Sequence, residues 1–211
     1  MMNPKEYFDE FDKHLLEDNK PSQYFEGLLR QGVLDKMPPF TLLGALAKTP
    51  QSLQHHPEGN VWNHTMLVLD RAAKHKQESG NARVFMWAAL LHDLGKPDTT
   101  RNRKGKITSY DHDKLGAKLV RQFLAPLTED QEFIEQVANM VRWHMQTLFV
   151  AKNLPFAEVD NMLQQVRLEE VALLSLCDRL GRGKMTRAKE EEERKGIESF
   201  IKKIKQSGKY T

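Results

Sequence analysis

The chain has little that would place it outside the class of folded, globular domains. Of its 211 residues only one is a cysteine, Cys177. An intramolecular disulfide is therefore excluded, and a reducing, cytoplasmic compartment is the expectation. The longest uninterrupted apolar run, Phe85 to Leu91, is far shorter than a membrane span needs. Met1 to Lys20 is studded with charges and has no apolar h-region, so no signal peptide is expected. Alternating strand patterns are nearly absent, there is no internal repeat, and the only biased stretch is Glu190 to Glu193. With 12 Gly and 9 Pro no fibrous repeat is possible, and 39% hydrophobic residues exceed what a disordered chain carries.

What remains is helical spacing. Asn3-Pro4-Lys5-Glu6 reads as an N-cap, a proline in the first turn and a capping-box Glu, with Tyr7, Phe8, Phe11, Leu15 and Leu16 on one face behind it. Ser22 opens a second helix that Gly32 closes. Pro38-Pro39 and Thr49 to Gly59 are loops. Asn60 caps a helix to about Gln77, and another follows from about Ala82 to Leu94, stopped by Gly95-Lys96-Pro97 with Gly95 as a left-handed cap. Asp98 to Tyr110 is a polar loop with a short hairpin around Lys104-Gly105. Further helices are expected near 111–125, 129–147, 155–164, 167–180 and 186–206. The expected fold is an all-α, compact multi-helix bundle. It divides into an N-terminal helix (1–20) packing on the body, a body (21–184) and a basic, charged C-terminal helical arm (185–211).

The net charge of +3 is unevenly spread. Arg182 to Thr211 holds ten Lys/Arg and five Glu, leaving a slightly acidic body. Such an arm suits a polyanion such as RNA, although a solvated helix face is the commoner reading of any one charge run.

Several polar residues sit where helices normally place Leu. His64 shares a face with Val61, Leu67 and Val68; His92-Asp93 follows Trp87-Ala88-Ala89-Leu90-Leu91; His144 shares a face with Val137, Met140 and Val141; Asp178 ends the run Val171 to Cys177. A carboxylate in apolar surroundings is costly unless paired or bound to a cation. Each position has a bland reading: a lone His is commonly a hydrogen-bonded core residue, and Asp178 can pair with Arg179 or Arg182. A His-Asp dipeptide alone says little, since with 8 His and 12 Asp chance supplies about half of one. Two occur, and only His92-Asp93 stands at the end of an apolar helix before a break. In His112-Asp113 only His112 is expected to face inward. Mixed nitrogen and oxygen donors with open positions suit Mn, Fe, Co, Ni or Mg better than a closed structural zinc site. Trp62, Trp87 and Trp143 read as core residues, and His14, His55 and His75 as surface histidines.

The order His64, His92-Asp93, Asp178 resembles the HD-domain family of metal-dependent phosphohydrolases. More closely, the chain is similar to the C-terminal HD region of bacterial tRNA nucleotidyltransferases, the CCA-adding enzymes. The matching stretches are Pro21-Ser22-x-Tyr24-Phe25 with Gly32-Val33-Leu34, the run from His56 to Thr65, and Ala89 to Lys96. They continue with Asp111-His112-x-x-Leu115-Gly116-Ala117, Val141 to Met145, and Asp178 to Gly183. Asn60 departs from the Asp common in the related stretch. The sequence holds no strand pattern, Gly-Ser loop or paired strand carboxylates of a nucleotidyltransferase half, so CCA addition is not implied.

The resemblance implies one or two divalent cations held by His64, His92, Asp93 and Asp178, with a bound water as nucleophile and Asp93 orienting or deprotonating it. It leaves His112 and His144 as second-metal ligands, phosphate donors or core residues. Lys96, Arg182 and, more weakly, Arg142 are candidates to hold substrate phosphate, with surface cations as the alternative; Lys96 joins Asp93 as a catalytic candidate. Glu58 and His56 either line the mouth of the site or shape its loop. The implied activity is hydrolysis of a phosphomonoester or 2′,3′-cyclic phosphodiester on a nucleotide or RNA end, without a membrane partner. The competing expectation is a non-catalytic RNA- or tRNA-binding module, or the HD half of a split nucleotidyltransferase.

Overall fold

The computed structural model describes residues 2–208, and their regular structure is helical apart from one two-stranded hairpin. Helix α1 (Pro4–Glu17) starts with the capping box the sequence predicts. The Asn3 side chain accepts from the Lys5 and Glu6 amides, and Glu6 accepts from the Asn3 N–H at 2.7 Å. Its buried face enters an aromatic core in which Phe11 meets Phe25 edge-on at 4.8 Å and packs beside Phe40 and Trp87. Asp12 accepts from Trp87 Nε1 at 2.6 Å and from Arg83 Nε at 2.8 Å. The other end of α1 is closed by buried Lys76, whose ammonium donates to the carbonyls of Leu15, Leu16 and Asp18.

Helix α2 (Ser22–Arg30) ends at Gly32, which takes the left-handed φ of 71°. Two short helices follow that periodicity does not reveal, α3 (Val33–Lys36) and α4 (Thr41–Ala47). They touch backbone to backbone, since a Cβ on Gly44 would lie 2.3 Å from the Leu34 carbonyl oxygen. Asn60 and Asn81 then cap α5 (Val61–His75) and α6 (Ala82–Leu91) through their side-chain oxygens. Every residue of α6 from Val84 to Leu91 is buried, as expected of a helix apolar on all sides. It lies against α1, α5 and two later helices, Gln131–Trp143 and Leu168–Leu180.

A short α7 (Lys96–Thr99) leads into strands β1 (Thr100–Arg103) and β2 (Lys106–Ser109), paired antiparallel. Lys104 and Gly105 both take positive φ, the turn geometry that suits the twist of a hairpin. Helices α8 (His112–Leu124) and α9 (Gln131–Trp143) follow. The sequence predicts one helix to 147, but the chain breaks at His144 and restarts as α10 (Gln146–Ala151). The break turns the His144 ring inward. After α11 (Val159–Leu163) come α12 (Leu168–Leu180) and α13 (Arg187–Gln206).

The C-terminal arm packs on the body. Ile197, Phe200 and Ile204 of α13 join Trp143, Met162, Leu168, Val171 and Leu180 in a second apolar cluster. Trp62, Trp87 and Trp143 are all buried, in keeping with the core reading. No helix of the described residues is long and apolar enough to cross a membrane.

Candidate metal centre

The six sequence candidates for metal binding come from the ends or first turns of five helices. His64 lies in the first turn of α5, among buried Val61, Thr65 and Val68. His92 and Asp93 follow the last residue of α6, where the helical ladder stops and consecutive side chains can point into one space. His112 is the first residue of α8, His144 caps α9, and Asp178 sits in the last turn of α12. Gly95 is not the left-handed cap the sequence suggests: its φ is −81°. Its necessity is steric. A Cβ there would stand 2.2 Å from the His112 carbonyl oxygen and 2.7 Å from the Gly116 nitrogen. The missing side chain is what lets α8 bring His112 against Asp93.

Asp93 is central. Its Oδ2 lies 3.2 Å from His92 Nε2, 3.9 Å from His64 Nε2 and 2.7 Å from Lys96 Nζ, while Oδ1 lies 3.6 Å from His112 Nε2. Donor atoms of His64, His92 and Asp93 form one close group, and those of Asp93, His112 and His144 form a second, each within 4.8 Å. Asp93 is common to both. Despite these distances, neither His92 Nε2 nor Asp93 Oδ2 has a partner in hydrogen-bonding geometry. His92 Nε2 so placed is costly without a ligand, whereas Asp93 Oδ2 has the Lys96 ammonium at 2.7 Å.

The imidazoles are held in one tautomer. The Nδ1–H groups of His92, His112 and His144 donate to the carbonyls of Ala89, Ser109 and Val141 at 2.9, 2.7 and 2.6 Å. Each Nε2 in the neutral ring therefore carries a lone pair toward the centre. Burial pushes the His112 pKa down to about 3 and lowers that of His144, which favours the neutral form of both rings. Yet their Nε2 atoms are only 3.3 Å apart. Two lone pairs at that distance repel unless a cation lies between them.

His64 differs. Nδ1 is 2.9 Å from Glu58 Oε1 and Nε2 is 2.9 Å from Asp178 Oδ1. Burial disfavours its charged form, but these two carboxylates outweigh burial and raise its pKa. Burial likewise works against the Asp93 and Asp178 carboxylates, and the surrounding cationic groups hold both well below their ordinary range.

The sequence left Glu58 between lining the mouth and shaping a turn. The structure gives it more: besides His64 it contacts His56 Nδ1 at 2.9 Å and accepts from the Gly183 amide at 2.9 Å. It ties the α5 entry loop and the loop after Asp178 to one imidazole. A carboxylate behind a ligating histidine fixes ring orientation and raises basicity. Glu58→Gln keeps the size of the side chain and loses the charge; it is expected to weaken metal affinity about 10- to 100-fold by calorimetric titration.

Lys96 Nζ also donates to Gln51 Oε1 at 2.8 Å, so it stands at the mouth with a neutral partner besides Asp93. Arg182, beyond Asp178, has a buried Nε without a hydrogen-bond partner. It lines a cleft of about 360 Å³ with Leu53, Pro57, Lys184, Met185 and Lys189. Arg142 is placed differently from the expectation of a phosphate contact: its guanidinium bonds Asp113 and Glu158, each at 2.7 Å, and covers Trp143. Asp113 is therefore buried, against the expectation that only His112 of that pair faces inward. Among the surface histidines, His14 bonds Asp18 and stacks on Tyr24, and His75 bonds Glu78.

Comparison with known proteins agrees with this arrangement. The HD domain family model matches residues 61–183, from the start of α5 to just past Arg182. The Multifunctional CCA protein of Alkalilimnicola ehrlichii is 30% identical over 185 residues, covering 85% of this chain and 43% of that protein. That of Mannheimia succiniciproducens is 30% identical over 182 residues, 83% of this chain and 42% of its own length. The Haemophilus influenzae protein is 34% identical over 137 residues, 64% of this chain and 32% of its own. The chain thus spans under half the length of these relatives. With the helices, the clustered His and Asp side chains and more than half the sequence in agreement, the chain belongs to the HD-domain family.

Proposed function

We propose that the chain is a metal-dependent phosphohydrolase acting on a phosphomonoester or 2′,3′-cyclic phosphodiester of a nucleotide or RNA end. The observation that carries the reading is the 3.3 Å approach of His112 Nε2 and His144 Nε2, on rings whose Nδ1 atoms face the Ser109 and Val141 carbonyls, beside Asp93. This donor set fits a divalent cation, and His64, His92, Asp93 and Asp178 would hold one, with His112 and His144 available to a second at Asp93. Neutral imidazoles and carboxylates without thiolate suit Mn, Fe, Co, Ni or Mg. When bound, such a cation supplies Lewis acidity to a water and to a phosphoryl oxygen.

The protein's own groups do the rest. Asp93 orients the attacking water and accepts its proton. Lys96 at the mouth offers a point charge to a phosphate oxygen, and Arg182 offers a planar fork. The cleft beside Arg182 is lined by Leu53, Pro57 and Met185 and also by Lys184, Lys189, Glu192 and Glu193, and we assign the leaving group to this side of the centre. Cys177 is a buried thiol whose pKa is pushed up to about 12 by burial, and it takes no part. The resemblance to CCA-adding enzymes supports an RNA-related substrate. Because the chain spans under half of those relatives, a non-catalytic RNA- or tRNA-binding module, or the detached HD half of a split nucleotidyltransferase, is the second reading.

The test is metal content of the purified protein together with a panel of nucleotide monophosphates and 2′,3′-cyclic nucleotides, with Mn, Ni, Co or Mg added. Bound metal and chelator-sensitive turnover are expected. Absence of both with every cation would overturn the hydrolase reading in favour of the second.

A further inference from the structure

The sequence places positive charge in the C-terminal arm, but the structure distributes it otherwise. Between 182 and 208 there are nine Lys/Arg and five Glu. In α13 Arg194 pairs with Glu190 at 2.9 Å and Arg187 with Glu191 at 3.5 Å, and Arg179 of α12 takes Glu193 at 2.6 Å. The β1–β2 hairpin is different. Arg101, Arg103, Lys104 and Lys106 lie within six residues, and no acidic residue occurs from Thr99 to Tyr110. All four are exposed. Arg101 donates only to the neighbouring Thr100 carbonyl, and Arg103 lies 5.1 Å over the ring of Tyr110, itself 63% exposed.

The hairpin is anchored on the candidate centre at both ends. β1 continues from α7, whose first residue is Lys96, 2.7 Å from Asp93. β2 ends at Ser109, whose carbonyl holds the His112 ring. Thr100 and Ser109 are joined by their hydroxyls at 2.7 Å, which closes the base. With four residues per strand, the tip stands about 13 Å from that base at roughly 3.4 Å per residue.

We propose that this hairpin is a binding surface for single-stranded nucleic acid, tracking the phosphates of a strand whose end lies at the Asp93 centre. The orientation of the strand rests on the phosphohydrolase reading; binding itself does not. Among the described residues none of these four cations has an acidic partner, and cations beside an exposed aromatic ring are the two components of a sequence-tolerant single-strand site, one for phosphates and one for a base face. The polar strands offer no apolar face for a membrane.

The experiment measures binding of fluorescent 12-nucleotide RNA and DNA of one sequence to the full chain at several salt concentrations. The compared variants are R101Q/R103Q/K104Q/K106Q in the hairpin and R187Q/K195Q/K202Q/K203Q in α13, which remove equal charge. Circular dichroism checks that both are folded. The hairpin variant is expected to lose on the order of 100-fold in affinity at 0.1 M salt and to flatten the log–log salt slope by about 2 to 3, while the α13 variant loses far less. Loss with RNA, DNA or both supports the proposal and names the sugar tolerated. No binding by the unaltered chain up to about 100 μM, unchanged affinity in the hairpin variant, or equal loss in the α13 variant overturns it. Turnover of bis(p-nitrophenyl) phosphate by the unaltered chain reports on the hydrolase reading separately, so either can fail alone.

Discussion

Asp93→Ala is expected to lower metal-dependent turnover by at least about 1000-fold, well beyond the 10- to 100-fold typical of residues behind the ligands. The reason is positional. Asp93 is the one carboxylate shared by both groups of donor atoms, with one oxygen toward His64, His92 and Lys96 and the other toward His112. On the proposed function, its loss removes a ligand from each group and the proton acceptor together. The chelated variant should nevertheless stay folded, because a buried carboxylate is expensive to keep and Lys96 retains Gln51. Thermal denaturation with and without metal separates the two effects. Metal should raise the midpoint of the unaltered chain and leave that of the variant nearly unmoved. A variant that keeps both its metal shift and its turnover would remove Asp93 from the centre.

Gly95→Ala should be the most damaging one-carbon change in the chain. An added Cβ would meet the His112 carbonyl at 2.2 Å, whereas ordinary contacts begin at 3.4 Å, so backbone must give by more than an ångström. Neither neighbour is a flexible side-chain end. A cost of about 2–4 kcal/mol is expected. Because the displaced backbone belongs to His112, turnover of the folded fraction should fall by about 100-fold as well. Gly27→Ala is the control. A Cβ at Gly27, within α2, meets nothing within 4 Å, so that change should be neutral or stabilise by up to about 1 kcal/mol. Chemical denaturation of both variants and steady-state kinetics on the folded fraction decide the point.

Features written in local chemistry were legible in the sequence. The caps at Asn3 and Asn60 and the Lys104-Gly105 turn depend on residues within three or four positions, and all appear where the sequence puts them. The histidines and aspartates of the centre stood out because polar groups interrupted apolar faces. What was hidden depends on distant parts of the chain. Helices α3 and α4 are too short to show a period and are held by backbone contact at Gly44. Asp113 is buried only because Arg142 reaches it from α9, and that commitment is what turns Arg142 away from a phosphate. Glu58 looks like a loop residue until folding brings Gly183 to it across 125 positions. Gly95 carried the right residue for an unforeseen reason: the constraint lies in α8, not in its own dihedral angles.

The bond between His64 and Asp178 spans 114 positions of the chain. Contacts of such separation pay their loop-closure entropy late, so this part of the centre is among the last features to form during folding. No N-terminal fragment ending before α12 can contain it. During synthesis, α5 and α6 emerge and collapse with His64 and His92 still lacking their distant partner. On the phosphohydrolase proposal, chains truncated before α12 lack Asp178 and are expected to be inactive even where most helices form.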